Sequence, residues 1–287
     1  MTDHLPLIRD VTDTARWTAA YRAEESERRK PLFRDPYAAK LAGERGFEIA
    51  RRVKGQATRT GVVLRTAVFD ELIAERLASG RFDTVLMLAT GLDARPYRLD
   101  LPADLRWVEV DLPSIIECKT GILAEDAPRC ALERVPLDLA DQPARRALFE
   151  RVAQASRGTL VLSEGLLAYL DPEDVATLAE DLSANPEFME WATDLTGAQV
   201  MESVRDAGKE FKAGNARVKF APKENTAFFL PYGWCELDFK DLFAEAPRLG
   251  RDGLMAKVLR FGMRFAPEAK RAWFSRAVGV ALLGKVG

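Results

Sequence analysis

The chain has 287 residues, 42 basic and 44 acidic, for a formal net charge of −2, and 47 % of its residues are hydrophobic. That balance excludes a disordered or fibrous chain. It offers no overall field for nucleic acid or an anionic membrane. The longest apolar runs, such as Ala277–Gly284, fall far short of the roughly 20 residues that span a bilayer. Met1–Asp10 mixes charges and holds no apolar core, so no secretory signal is read and a cytoplasmic protein is expected.

Cys118, Cys130 and Cys235 are odd in number and widely spaced, which argues against a disulfide framework or a zinc site; no metal is expected. The one histidine, His4, lies in the N-terminal tail. A catalytic His, a Ser-His-Asp triad and a His-ligated metal are thereby disfavoured, and any chemistry falls to carboxylates, Arg, Lys, Tyr or a cofactor.

In chain order, Asp13–Lys30 reads as a polar amphipathic helix, and Asp35-Pro36 reads as the start of another, with Asp as cap and Pro in the first turn. Thr60–Ser79 repeats apolar residues at three and four and ends at Gly80, a helix with a glycine stop. The rhythm then changes. Val85–Ala89, Trp107–Asp111, Leu132–Leu137, Leu160–Ser163 and Phe188–Leu195 are short apolar runs, as in strands buried on both faces. Helical patterns lie between them at Ser114–Leu123, Gln142–Gln154 and Pro172–Leu182, the last capped by Asp171. Such alternation predicts an α/β fold with a mostly parallel sheet. Beyond Leu195, residues 196–230 interleave Lys, Gly and Asn with Phe211, Phe220, Phe228 and Phe229, read as a lid. Val278–Leu283 reads as a last, antiparallel edge strand. A single domain is expected: an N-terminal helical cap at 1–60, a core at 61–195, a lid at 196–260, and a C-terminal helix with the edge strand at 261–287.

Ligands of open α/β sheets sit at the carboxyl ends of the strands. The first strand here runs into Ala89-Thr90-Gly91-Leu92-Asp93, the second ends at Asp111, the third at Asp138 and the fourth at Glu164. Asp111 lies 20 residues after Gly91, where an acid accepts both hydroxyls of a ribose; capping the next helix is the competing role. Asp138 is placed to accept from an adenine amino group, with Asp141 the better cap. A dinucleotide turn needs G-x-G-x-x-G for its pyrophosphate, whereas this turn keeps one glycine and carries Asp93. A nucleoside with a positive centre, such as S-adenosylmethionine, suits that charge better.

The stretch TVLMLATGLDARPYRL, followed by WVEVDLP, VPLDLAD and LVLSEGLLAYL, resembles the class I S-adenosylmethionine-dependent methyltransferases of the leucine carboxyl methyltransferase group, and within it the bacterial O-methyltransferase branch. LFRDPYA, RTAVFD (Arg65–Asp70) and the late GW…EAPRLGR belong to the same pattern, which spans about residues 15–250. The resemblance implies a Rossmann-like, seven-stranded sheet with helices on both faces. It implies cofactor contacts from Arg65 near the methionine carboxylate, from Ala89 and Gly91 in the cofactor loop, from Asp111 and Leu112 at the ribose, from Asp138 and Leu139 at the adenine, and from Glu164. Ala89 departs from the family glycine. Tyr169 matches a tyrosine facing the acceptor, so Arg65 and Tyr169 are the candidate catalytic residues.

The reaction implied moves a methyl group from S-adenosylmethionine to an oxygen, leaving S-adenosylhomocysteine. A carboxylate acceptor is ionised at neutral pH and needs no base, in keeping with the scarcity of histidine. Phe228 and Tyr232 are read as acceptor-pocket residues of an aromatic lid that also holds Phe211, Phe229 and Trp234; plain packing is the competing role. Lys209, Lys212, Arg217 and Lys219 read as a solvated face. The expected partner is a small-molecule acceptor rather than nucleic acid or membrane, and the oligomeric state stays open. An NAD(P)-dependent reductase and a catalytically inactive S-adenosylmethionine-binding module are the alternatives.

Overall fold

A computed structural model describes residues 7–53, 55–197, 219–253, 257, 261–268, 271 and 274–286. His4, Lys209, Phe211, Lys212 and Arg217 lie outside the described residues.

Three helices come first: α1 (Val11–Ser26), α2 (Ala38–Arg52) and α3 (Gln56–Ala78). Asp10 caps α1 by accepting from the Asp13 N–H at 2.8 Å, which satisfies one of the free donors of the first turn. Just ahead of α2, Asp35 accepts the Tyr37 N–H at 3.2 Å through one carboxylate oxygen, and it pairs through the other with Arg22 of α1 at 3.0 Å. α1 crosses α2 closely at Gly46, where any Cβ would collide with the Arg16 carbonyl. Gly80, at φ 69°, ends the α3 segment as expected.

The sheet follows: β1 (Thr84–Leu88), β2 (Arg106–Asp111), β3 (Ala131–Pro136), β4 (Thr159–Ser163), β5 (Phe188–Thr196), β6 (Trp234–Asp241) and β7 (Val278–Lys285). Its spatial order is β3-β2-β1-β4-β5-β7-β6. β1–β5 pair in parallel, and β7 is antiparallel to both β5 and β6. β7 is therefore antiparallel, as expected, but lies inside the sheet; the edge belongs to β6, a strand within the stretch 196–260 expected as a lid. Between the parallel strands run α4 (Arg95–Arg98), α5 (Pro113–Ile122), α6 (Gln142–Gln154) and α7 (Pro172–Ser183). Asp141 caps α6 through the Ala144 N–H at 3.1 Å. Asp171, read as the cap of α7, makes no cap hydrogen bond and pairs with Lys219 instead.

Alternation along each strand feeds two cores. Leu86, Leu88, Val108, Val110, Val161 and Trp191 face α6 and α7. Val85, Met87, Trp107, Leu160 and Leu162 face α3. Each such side chain, fully removed from water, contributes about 1.5–3 kcal/mol. This sandwich fixes the carboxyl ends of β1–β5 along one rim, over which α1 is laid. Among the described residues no helix is long and apolar enough to cross a membrane.

Candidate active site

A cavity of about 440 Å³ opens at the carboxyl ends of the parallel strands, a size typical of small-molecule sites. The loop after β1 forms its floor. Gly91 takes φ 53°, and Ala89 takes φ 50°, a left-handed backbone that glycine adopts without penalty and alanine does not. Ala89 thus reproduces the turn of a glycine rather than reshaping it. Asp111, at the end of β2, accepts the Gly91 N–H at 2.6 Å and the Leu112 N–H at 2.7 Å. It does not cap α5, whose N-cap is Leu112. Burial raises the pKa of Asp111, although both N–H groups favour its charged form. Beneath the loop, buried Lys119 donates to Thr90 Oγ1 at 3.2 Å and pairs with Glu109 at 2.6 Å. The turn after β3 contributes Leu137, Asp138, Leu139 and Ala140, and α1 supplies the wall with Val11, Thr14, Ala15 and Thr18.

A chain of ion pairs runs behind the opposite wall. Arg65 of α3 reaches Glu164 at 2.9 Å and Asp194 at 2.8 Å. Glu164 also meets Arg95 at 2.8 Å. Arg95 is fully buried and holds Asp93 and Asp70 at 2.7 Å each. Arg98 shares Asp70 at 2.7 Å and approaches Asp35 at 3.8 Å, which in turn holds Arg22. Burial opposes ionisation of Asp93, but Arg95, then Arg98 and Arg22, hold its pKa at about 2. Glu164 is lowered in the same way, burial being outweighed by Arg95 and Arg65. Burial also disfavours the Arg65 charge, yet Asp194 and Glu164 keep its pKa above the ordinary value. Nε and Nη1 of Arg65 are engaged with these carboxylates; Nη2 makes no hydrogen bond among the described residues. Asp194 further accepts the Gly165 N–H at 2.6 Å, tying the β4 loop to β5.

Of the residues singled out from sequence, Arg65, Ala89, Gly91, Asp111, Leu112, Asp138, Leu139, Glu164 and Tyr169 line this one cavity. Tyr169 sits in the 3-10 turn Leu167–Tyr169 and keeps 37 % of its surface exposed; partial desolvation raises the pKa of its hydroxyl, offset in part by Arg65. Phe228 and Tyr232 are not among the lining residues. They belong to the 3-10 helix Asn225–Tyr232 and pack partly buried against the β5 side of the core. Phe228 stacks edge-on against Phe220 at 4.8 Å. Phe229 and Trp234 are fully buried and both flank Trp191, the packing role rather than a lid. Asp93, read as a repulsive charge at the turn, spends its carboxylate on the Arg95 backbone and guanidinium. Arg22, Asp70, Arg95 and Asp194 were not singled out. Asp70 and Arg95 stand inside quoted motifs, RTAVFD and LDARPYRL, and that was their only signal.

The residues present fit S-adenosylmethionine. A strand-end carboxylate suits a diol, the remaining donors of Arg65 suit a carboxylate, and the acidic wall suits cationic groups. A family model described as leucine carboxyl methyltransferase matches residues 15–183. A protein of Mycobacterium avium described as a "Putative S-adenosyl-L-methionine-dependent methyltransferase" is 31 % identical over 270 residues, covering 86 % of this chain and 82 % of its own. One of Saccharopolyspora erythraea with the same description is 35 % identical over 226 residues, covering 72 % and 77 %. The chain spans 65 % of the length of a third such relative, from Mycobacterium marinum, at 36 % identity over 201 residues. In fold it is similar to a DUF574 family protein of Streptomyces avermitilis, with TM-score 0.62, 14 % identity and coverage of 94 % and 97 %. This chain belongs to the leucine carboxyl methyltransferase family of class I, S-adenosylmethionine-dependent methyltransferases.

Proposed function

We propose that the protein is a cytoplasmic O-methyltransferase that acts on a small molecule, with an acidic oxygen such as a carboxylate as acceptor. The observation that carries this reading is the convergence of Asp111, Gly91, Glu164, Arg65 and Tyr169 on one cavity. When bound, S-adenosylmethionine supplies an electrophilic methyl: the C–S bond breaks, its electron pair stays on sulfur as a neutral thioether, and a lone pair of the acceptor oxygen forms the new C–O bond.

The chain's own residues do the rest by placement and field. Asp111 is held rigidly by the Gly91 and Leu112 N–H groups and presents its outer lone pairs to a ribose. Asp138 and Leu139 border the adenine. Arg65 is aimed by Glu164 and Asp194 and keeps Nη2 for the carboxylate of the cofactor or the acceptor. Tyr169, kept protonated at neutral pH, donates to the acceptor oxygen and orients it. An ionised acceptor needs no general base, in keeping with a chain whose one histidine is His4. The apolar side chains Val11, Val62, Leu166 and Leu170 line the same cavity and suit an acceptor with an apolar body. Phe228 and Tyr232 would act on it only from behind this wall.

Thermal unfolding with S-adenosylhomocysteine and with NADP⁺ tests the cofactor. A ligand at 100 times its Kd adds about 2.7 kcal/mol, so a rise of several degrees with the first and none with the second is expected. A rise with NADP⁺ alone would revive the reductase reading. Transfer of a labelled methyl to carboxylic acids, phenols and amines then tests the acceptor; transfer to amines alone would overturn the oxygen assignment. Tight binding with no transfer to any of them would favour an inactive module.

A further inference from the structure

Thr90 stands between two left-handed residues of the loop after β1, Ala89 at φ 50° and Gly91 at φ 53°. An alanine in that conformation is strained and persists only where its surroundings hold it. Two backbone hydrogen bonds hold Thr90: its N–H donates to the Val110 carbonyl at 3.2 Å, and its carbonyl accepts the Asp93 N–H at 3.1 Å. A third tie comes from below. Lys119 of α5 donates to Thr90 Oγ1 at 3.2 Å, and that hydroxyl donates its own hydrogen to Met87 Sδ at 3.5 Å. Lys119 is fixed in turn by Glu109 of β2 at 2.6 Å, and Glu109 by Arg134 of β3 at 3.1 Å.

Lys119 and Glu109 are fully buried, and neither lines the cavity. A buried ion pair is often no more stabilising than apolar side chains of the same volume, so stability does not account for the charge. What the ammonium reaches beyond its carboxylate partner is the Thr90 hydroxyl. The next N–H along the chain, that of Gly91, is the one Asp111 accepts at 2.6 Å. A turn that rotates at Thr90 carries this N–H off the carboxylate, and Asp111 then loses the contact that aims it.

We propose that Lys119 is a positioning residue of the cofactor site: through Thr90 Oγ1 it holds the left-handed turn in the form that binds the nucleoside, without touching the ligand itself. This rests on the cofactor site proposed above, with Asp111 at the ribose. Without the tie, the turn relaxes into forms in which Gly91 no longer meets Asp111. With the competent form reduced to about a tenth of the population, the apparent Kd rises about tenfold.

Titration calorimetry of the full chain with S-adenosylhomocysteine, with Tm measured alongside, tests this. Thr90→Val keeps the volume and removes the acceptor of Lys119, so it is expected to bind about tenfold more weakly. Thr90→Ser keeps the acceptor and loses a methyl group, so it is expected to stay close to the wild type. A packing role for Thr90 predicts the reverse order; Thr90→Val as tight as the wild type, or Thr90→Ser as weak as Thr90→Val, would overturn the proposal. Lys119→Met combined with Glu109→Gln removes the ion pair as a unit and keeps the Thr90 hydroxyl, while Arg134 retains Tyr97 Oη at 2.6 Å. This double variant is expected to bind as weakly as Thr90→Val, and adding Thr90→Val to it should weaken binding no further. Wild-type affinity in the folded double variant would show that the hydroxyl acts on the ligand by itself and would overturn the role of Lys119. If the double variant does not fold, the Thr90 pair decides. Failure of the wild type to bind S-adenosylhomocysteine would overturn the cofactor site instead.

Discussion

Replacing Arg95 by methionine probes the ion chain most directly. Arg95 is fully buried, meets Asp93, Asp70 and Glu164 at 2.7–2.8 Å and donates to the Thr66 carbonyl at 3.3 Å. Methionine keeps the stem and removes the charge. Asp70 retains Arg98 and Glu164 retains Arg65, but Asp93 retains no ion pair. Breaking a buried pair by removing one partner costs about 3–5 kcal/mol. At about 2–4 °C per kcal/mol in larger domains, the Tm should fall by roughly 6–20 °C. The pH dependence supplies the sharper test. In the wild type Asp93 and Glu164 have depressed pKa values. Their contribution to stability is present above the ordinary carboxylate range, near pH 4, and is lost as pH falls towards the folded value of about 2 for Asp93. The variant forgoes that contribution already at neutral pH, so its deficit should narrow as both proteins are acidified below about pH 4. Urea unfolding at pH 7 and again near pH 3 measures both deficits. A loss under about 1 kcal/mol at pH 7, or a deficit that does not change with pH, would refute the reasoning.

Asp111→Asn replaces a charged acceptor by a neutral one and should weaken S-adenosylhomocysteine by about 1.5–3 kcal/mol, the worth of a hydrogen bond to a charged group; unchanged affinity by calorimetry would remove Asp111 from the ribose site. Ala89→Gly relieves a left-handed alanine costing about 1–2 kcal/mol, partly offset by the entropy of glycine in the unfolded chain, so a Tm unchanged or a few degrees higher is expected, and a clear fall would contradict the strained turn. Burial pushes Asp241 up to about 6, so its ionised form costs stability above that pH and the cost disappears as pH falls through it. Asp241→Asn should therefore melt higher than the wild type at pH 7, with the gap closing by about pH 4; a lower Tm at pH 7 would show that the hydrogen bond Asp241 accepts from the Phe243 N–H at 2.9 Å, at the start of the helix Leu242–Arg248, matters more than the buried charge.

Most of the parallel half of the sheet was legible because β1, β2 and β4 are buried on both faces and read as apolar runs; β3, half-exposed and carrying Glu133 and Arg134, was legible only from its place in the alternation. β6 was not: Glu236, Leu237 and Asp238 are exposed at the sheet edge, and their alternation resembles a polar loop. The place of β7 is a tertiary fact with no local signature, since its apolar run serves equally well at an edge or inside. The strand-end acids were legible because topology fixes where a ligand can sit. The ion chain behind them was not. Arg65 and Asp194 are 129 residues apart, and Arg95 and Asp70 are 25 apart, so no spacing rule links them. Phe228 and Tyr232 show the opposite limit: an aromatic cluster announces burial, while which wall it supports depends on the strands around it.

The insertion of β7 between β5 and β6 has a consequence for synthesis. While the nascent chain has not passed Lys285, β5 has an open edge and β6 has no partner strand, although five parallel strands are already available. Two strands, the apolar β5 and the largely polar β6, then wait on one late arrival, with the long-range pairing that slows folding and exposes edges to other chains. A stop introduced before Val278 would remove eight residues of strand but unmoor both flanking strands, so its product should aggregate or be degraded rather than persist as a slightly shorter enzyme.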